Sequence, residues 1–100
     1  MPPPRKKPPR SPLHAAFGEA VRRRRKELGL TQEQLAERNY WEGPKIGEIE
    51  RGDGNPRLST LAEVSKAVEQ DLGRLFSDAD RIRDEGLPEP HGNAPDSTSA

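Results

Sequence analysis

Gly29-Leu30-Thr31-Gln32-Glu33-Gln34-Leu35-Ala36, continued by Ile46-Gly47-Glu48-Ile49-Glu50-Arg51-Gly52 and then Asn55-Pro56, is the stretch that decides the fold of this chain. Thr31 stands directly before an apolar-periodic run. That is the place of a helix N-cap, whose side-chain oxygen satisfies one of the free N–H groups of the first turn. Ala36 is a small residue midway along this helix, where a neighbour can cross closely. Ile46 and Ile49, three apart, give a second helix an inward edge. The pattern predicts two short helices at a fixed angle with the second presented outward, the geometry of a helix-turn-helix.

The flanks supply the rest of a small helical body. Ser11 and Pro12 make an N-cap and a first-turn proline for a preceding helix, along which Leu13, Phe17, Ala20, Val21, Arg24 and Leu28 recur at helical spacing. Gly29 is placed to stop it. The second helix runs from Gln32 to about Arg38, and the turn passes through Asn39 and Tyr40 before Trp41 inserts as an apolar anchor. The third begins at Pro44 and ends in the cluster Gly52, Asp53, Gly54, Asn55, Pro56. A fourth, from Leu58 or Ser59 to about Val68, is expected to bury Leu58, Leu61, Val64 and Val68 on one stripe. A short fifth from Asp71 brings Leu72, Leu75 and Phe76 to the core. Past Phe76 the apolar pattern lapses to Ile82 and Leu87, and from Pro88 onward nothing is available to bury.

An all-α class follows, with three parts. Residues 1–12 form a disordered basic, proline-rich arm. Residues 13–76 form the domain, its helix-turn-helix at about 32–51. Residues 77–100 form an acidic tail, helical at most to 86 and disordered after. With 100 residues, 29% hydrophobic content and 11 prolines, the chain cannot be folded from end to end. The absence of cysteine removes disulfides and thiolate zinc sites. His14 and His91 are isolated, and no metal spacing, nucleophile elbow or phosphate loop appears, so neither catalytic residues nor cofactors nor metals are expected, and the chain does not read as an enzyme. No apolar run approaches the roughly 20 residues that span a bilayer, so no membrane association is expected and the location is read as cytoplasmic. The formal net charge of zero conceals a gradient: the first 12 residues carry four basic side chains and no acid, residues 13–76 carry 11 of each sign, and residues 77–100 carry six acids against two arginines. A basic arm and an acidic tail suggest different partners, the tail serving a protein partner or competing with the basic surface.

Leu30-Thr31-Gln32 with Leu35-Ala36, followed by Ile46, Ile49-Glu50-Arg51-Gly52 and Asn55-Pro56, resembles the Xre family of helix-turn-helix proteins, relatives of phage repressors and Cro. The resemblance runs without a gap from about Phe17 to Phe76. It implies a compact five-helix Cro/repressor-like domain that binds double-stranded DNA sequence-specifically, as a homodimer, to regulate transcription. By the same resemblance Gln32 bonds a DNA phosphate from the start of its helix. The base readers fall at Glu42, Gly43, Pro44, Lys45, Gly47 and Glu48. Arg51, Asn55 and Arg57 flank the loop that contacts the DNA backbone, and Arg25 pairs with Glu50 as a structural clamp.

This chain departs from the family pattern where it matters. Gly43, Pro44 and Gly47 offer no side-chain hydrogen bonds. Glu48 is an acid that can accept from cytosine N4 but repels phosphates. Tyr40 occupies a turn position where glycine is common, and Asn39 is expected to help absorb the turn. In the run Arg22-Arg23-Arg24-Arg25-Lys26 only Arg22 and Lys26 share a face, and both are expected to be solvated. The arm residues Arg5, Lys6, Lys7 and Arg10 are candidates to make good the weak charge with phosphate or minor-groove contacts. A protein-interaction module on the same fold, with weak base readout, is the competing reading.

Overall fold

Five helices carry the body in the computed structural model, which describes residues 9–39, 41 and 43–87, and of residues 43 and 44 only the backbone. They are α1 Pro12–Glu27, α2 Gln32–Arg38, α3 Gly43–Arg51, α4 Leu58–Ala67 and α5 Leu72–Glu85, with no strand among the described residues. Each start has a local cause. The Ser11 hydroxyl accepts from the His14 amide and Pro12 holds the first position of α1. Thr31 and Gln34 form a reciprocal capping box at α2: the Gln34 amide donates to Thr31 Oγ1 at 3.0 Å, and the Thr31 amide donates to Gln34 Oε1 at 2.9 Å. After α2 the Asn39 side chain donates to the Leu35 carbonyl at 2.8 Å, and the Trp41 amide donates to the Ala36 carbonyl at 2.9 Å. Asn39 thus takes up the turn with φ −115°, outside the left-handed region. Tyr40 lies outside the described residues.

The core is built by α1 (Ala16, Phe17, Ala20, Val21), Leu35, Ile46 and Ile49, α4 (Val64, Ala67, Val68) and α5 (Leu75, Ala79, Ile82). Trp41, Leu28, Leu61 and Phe76 pack against it from the rim, with the Phe17 and Phe76 rings 5.0 Å apart. Two expectations change here. Leu58, placed on the buried stripe of α4, is 69% exposed: it is the first residue of its helix, and no neighbouring element covers it. The helical body also passes beyond Phe76. α5 runs unbroken to Glu85 because Ala79 and Ile82 continue, four and seven residues on, the face begun by Leu75, and both are buried. The first nine residues of the segment read as tail, 77–85, therefore continue the helical body. Residues 88–100, including the rest of the acidic tail, lie outside the described residues.

Where α1 meets α3 the two backbones touch. A Cβ built on Gly18 would lie 2.3 Å from the Ile49 carbonyl oxygen and 2.5 Å from that of Glu50, so only glycine fits at this crossing. Gly52, which ends α3 with φ +77°, is confined in the same way, its virtual Cβ 2.9 Å from the Ala15 backbone. Seven residues along α1 from Gly18, the Arg25–Glu50 pair ties the same two helices. Arg25 Nε donates to Glu50 Oε2 at 2.6 Å and Nη2 to Oε1 at 3.0 Å, while Nη1 donates to the Leu30 carbonyl at 2.7 Å. Both side chains are 1% exposed or less.

The remaining arginines of the basic run are engaged inside the molecule. Arg24 donates to the Val68 and Glu69 carbonyls, closing the C-terminus of α4, where Glu69 turns to φ 55°. Arg22 and Arg23 both reach the largely buried Glu19 carboxylate, at 3.6 and 2.9 Å.

Gly18→Ala is expected to lower the unfolding free energy by about 3 kcal/mol, since carbonyl backbone cannot yield to the added methyl. Gly73→Ala, on the open side of α5 with nothing within 4 Å, raises it by up to about 1 kcal/mol. Urea unfolding followed by circular dichroism distinguishes the two. Glu50→Ala strands a buried guanidinium and should lose about 3–5 kcal/mol in the same assay, while Arg25→Met with Glu50→Leu recovers much of that loss.

Candidate nucleic-acid interface

The turn between α2 and α3 presents a surface whose side chains are arranged by the clamp beneath it. Gln32, first residue of α2, turns its amide nitrogen inward to Glu50 Oε1 at 2.9 Å. The donor that the resemblance assigns to a phosphate thus joins the Arg25–Glu50 pair, and its second N–H is the one left for a partner. Gly47, expected among the outward readers, is buried instead. A Cβ there would stand 3.0 Å from Arg51 Nη1 and 3.4 Å from Gln32 Oε1. α3 is wedged between two helices, so Ile46, Ile49 and Glu50 face the interior while Gly47 faces α2, and little of the helix remains to look outward.

What does look outward is short. Among the described side chains of α3 only Glu48 is exposed, and it forms no hydrogen bond or ion pair with any described residue. Lys45, three residues before it, lies with Nζ 5.4 Å from the Trp41 ring centroid, a cation–π contact that holds the ammonium back over the turn. Arg51 donates from Nε to Asp53 Oδ2 at 3.0 Å, and the other oxygen of Asp53 is buried without a described partner. Glu42 lies outside the described residues, and of Gly43 and Pro44 only the backbone, which opens α3, is described.

Beyond α3 an open polar depression separates that helix from the start of α4. It is lined by Lys45, Glu48, Asp53, Asn55, Arg57 and Ser59, among others. Arg57 is exposed at the N-cap of α4, and Asn55 Oδ1 lies 3.4 Å from His14 Nε2 at the start of α1. Arg10 reaches the same loop from the other side. Its amide donates to the Gly52 carbonyl at 2.9 Å and its Nε to the Gly54 carbonyl at 2.6 Å. Arg10 is therefore an anchor rather than a free cation. Arg5, Lys6 and Lys7 lie outside the described residues.

Sequence reading brought Gln32, Lys45, Glu48, Arg51, Asn55 and Arg57 to one side of the molecule, and the structure groups them around α3 and its following loop. It missed the inward turn of Gln32 and the Arg10 anchor, which link residues 18 and 42 or more apart and leave no local signature. Lys45 over Trp41 did have one, since the pair is four residues apart.

A family model described as a helix-turn-helix domain matches residues 16–74. The chain is 35% identical over 68 residues to the immunity repressor protein of Bacillus phage phi105, covering 68% of this chain and 47% of that protein. It is 36% identical over 69 residues to a transcriptional regulator in the ATPase CF(0) region of Rhodospirillum rubrum, covering 69% and 64%. The chain thus spans about half to two thirds of the length of these curated relatives. Its fold is similar to that of the clp gene regulator ClgR from Corynebacterium glutamicum, with TM-score 0.68 at 27% identity over 73% of this chain and 78% of that one. It is similar also to the restriction-modification controller protein C.AhdI from Aeromonas hydrophila, with TM-score 0.58 at 31% identity over 62% and 94%. With the five-helix body, the α2–α3 angle held by Arg25 and Glu50, and a family match over more than half its length, this chain belongs to the helix-turn-helix family of transcriptional regulators, in its Xre branch.

Proposed function

We propose that this chain is a sequence-specific DNA-binding transcriptional regulator that docks α3 in the major groove of double-stranded DNA, as a homodimer on a two-fold-related site. The observation that carries the reading is the grouping of Glu48, Lys45, Asn55 and Arg57 around one open depression beside the outward edge of α3. In this docking Glu48 and Lys45 meet base edges, with residues 42–44 at the leading end of the helix. Gln32, Arg51, Asn55 and Arg57 meet the sugar–phosphate backbone.

The arm takes a part in the same reading. Arg10 fixes the chain to the Gly52 and Gly54 carbonyls, so the sequence before it, with Arg5, Lys6 and Lys7, starts next to the loop assigned to the DNA backbone. The domain itself is close to neutral and its described arginines other than Arg57 are bonded internally, which leaves the arm as the main reserve of positive charge. The competing reading is a protein-interaction module. It draws on two observations, an acid as the exposed side chain of α3 and a leucine, Leu58, 69% exposed on α4.

A gel shift on a fragment from the gene's own upstream region separates the two readings. The regulator forms a complex that survives unrelated competitor DNA, and the interaction module gives only weak binding that any duplex removes. Deleting residues 1–9 is expected to flatten the log–log dependence of affinity on salt by up to about three units, at about 0.9 per phosphate contact. An unchanged slope would show that the arm takes no part.

A further inference from the structure

Among the described side chains of α3, one is both exposed and unbonded, and it is a carboxylate. Glu48 is exposed and unbonded among the described residues. Lys45 is drawn onto the Trp41 ring, Arg51 is held by Asp53, Gly47 is covered by Gln32 and Arg51, and Ile46, Ile49 and Glu50 are buried. An ionised carboxylate accepts hydrogen bonds and donates none.

The major-groove edges of the four bases answer such a group differently. Guanine presents two acceptors, O6 and N7, and thymine presents O4, so both repel it. Adenine offers the N6 amine with the N7 acceptor beside it. Cytosine offers the N4 amine with one acceptor beside it, the paired guanine's O6, whereas the adenine amine is flanked by both its own N7 and the thymine O4. Resting on the DNA-binding reading above, we infer that Glu48 is the specificity-determining residue of this protein, and that it selects operator half-sites carrying cytosine at one fixed position by accepting from its N4 amine. Lys45 and Arg57, which line the same depression, offset the repulsion between the carboxylate and neighbouring phosphates.

The test is selection of bound duplexes from a randomised pool by the full chain, in parallel with Glu48→Gln and Glu48→Ala. The wild-type pool should converge on a motif with a G·C pair at one position of each half-site. Glu48→Gln should move that position alone to adenine, to which glutamine bonds at N6 and N7, and Glu48→Ala should leave it without preference. On the selected duplex, 7-deazaguanine opposite the cytosine leaves wild-type affinity unchanged, because the guanine N7 is not the group read. Replacing the cytosine by 2-pyrimidinone, which lacks the amine, weakens binding about ten-fold. A motif that is the same for all three proteins, or a loss of affinity on 7-deazaguanine, overturns the assignment to Glu48 and leaves DNA binding standing. Failure of the wild-type pool to converge on any motif overturns both.

Discussion

Two helices in this protein meet without side chains between them. The approach of α1 to α3 at Gly18, closed to any residue with a Cβ, fixes how far apart the helices lie. The Arg25–Glu50 pair seven residues further along α1 then fixes their rotation. One constraint is steric and the other electrostatic, and neither suffices alone: a crossing point permits swivelling and an ion pair permits translation. Together they define the attitude of α3, and the capping box at Thr31 with the bond from Gln32 to Glu50 carries that definition across to α2. A buried ion pair contributes little net stability against an apolar pair of equal volume. Its value here lies in direction, because the bidentate guanidinium accepts the carboxylate in one orientation.

The same economy governs the charges. Five consecutive basic residues spread around the circumference of α1, and their spacing alone gives Arg22 and Lys26 to solvent. In the structure Arg24 closes α4, Arg25 clamps α3, and Arg22 and Arg23 neutralise a largely buried Glu19. Positive charge therefore holds the body together rather than covering it, which is consistent with a formal net charge of zero. Attraction to a polyanion has to come from the few cations left at the edge of α3 and from the segment preceding Pro9.

Much of this body was legible in the sequence because its signals are local. Ser11-Pro12, Thr31, Gly29 and Gly52 each act within one helical turn of the boundary they set, whereas the answering half of the capping box, Gln34, emerged only in the structure. The clamp was legible only through family resemblance, since nothing in the spacing of Arg25 and Glu50 brings them together. Gly18 was passed over: in the middle of a helix a glycine reads as a weak residue, and its reason lies on another helix. Leu58 misled because periodicity states which face a residue shares, not whether anything lies over that face at a helix end. The end of α5 at Glu85 falls within the helix the sequence allowed as far as 86, but its burial went unread because Ala79 is too small to register as a hydrophobic anchor between Leu75 and Ile82. At the candidate surface, the inward turn of Gln32 and the withdrawal of Lys45 onto Trp41 depend on the tertiary arrangement and were not legible in residue types alone.

Glu48 stands apart from all of these couplings, since no described side chain bonds to it and its helix is registered by other residues. It is consequently a position at which lineages can diverge after gene duplication. A single codon change there leaves the scaffold intact, so two copies of this gene could come to differ in the charge of this surface without passing through an unfolded ancestor.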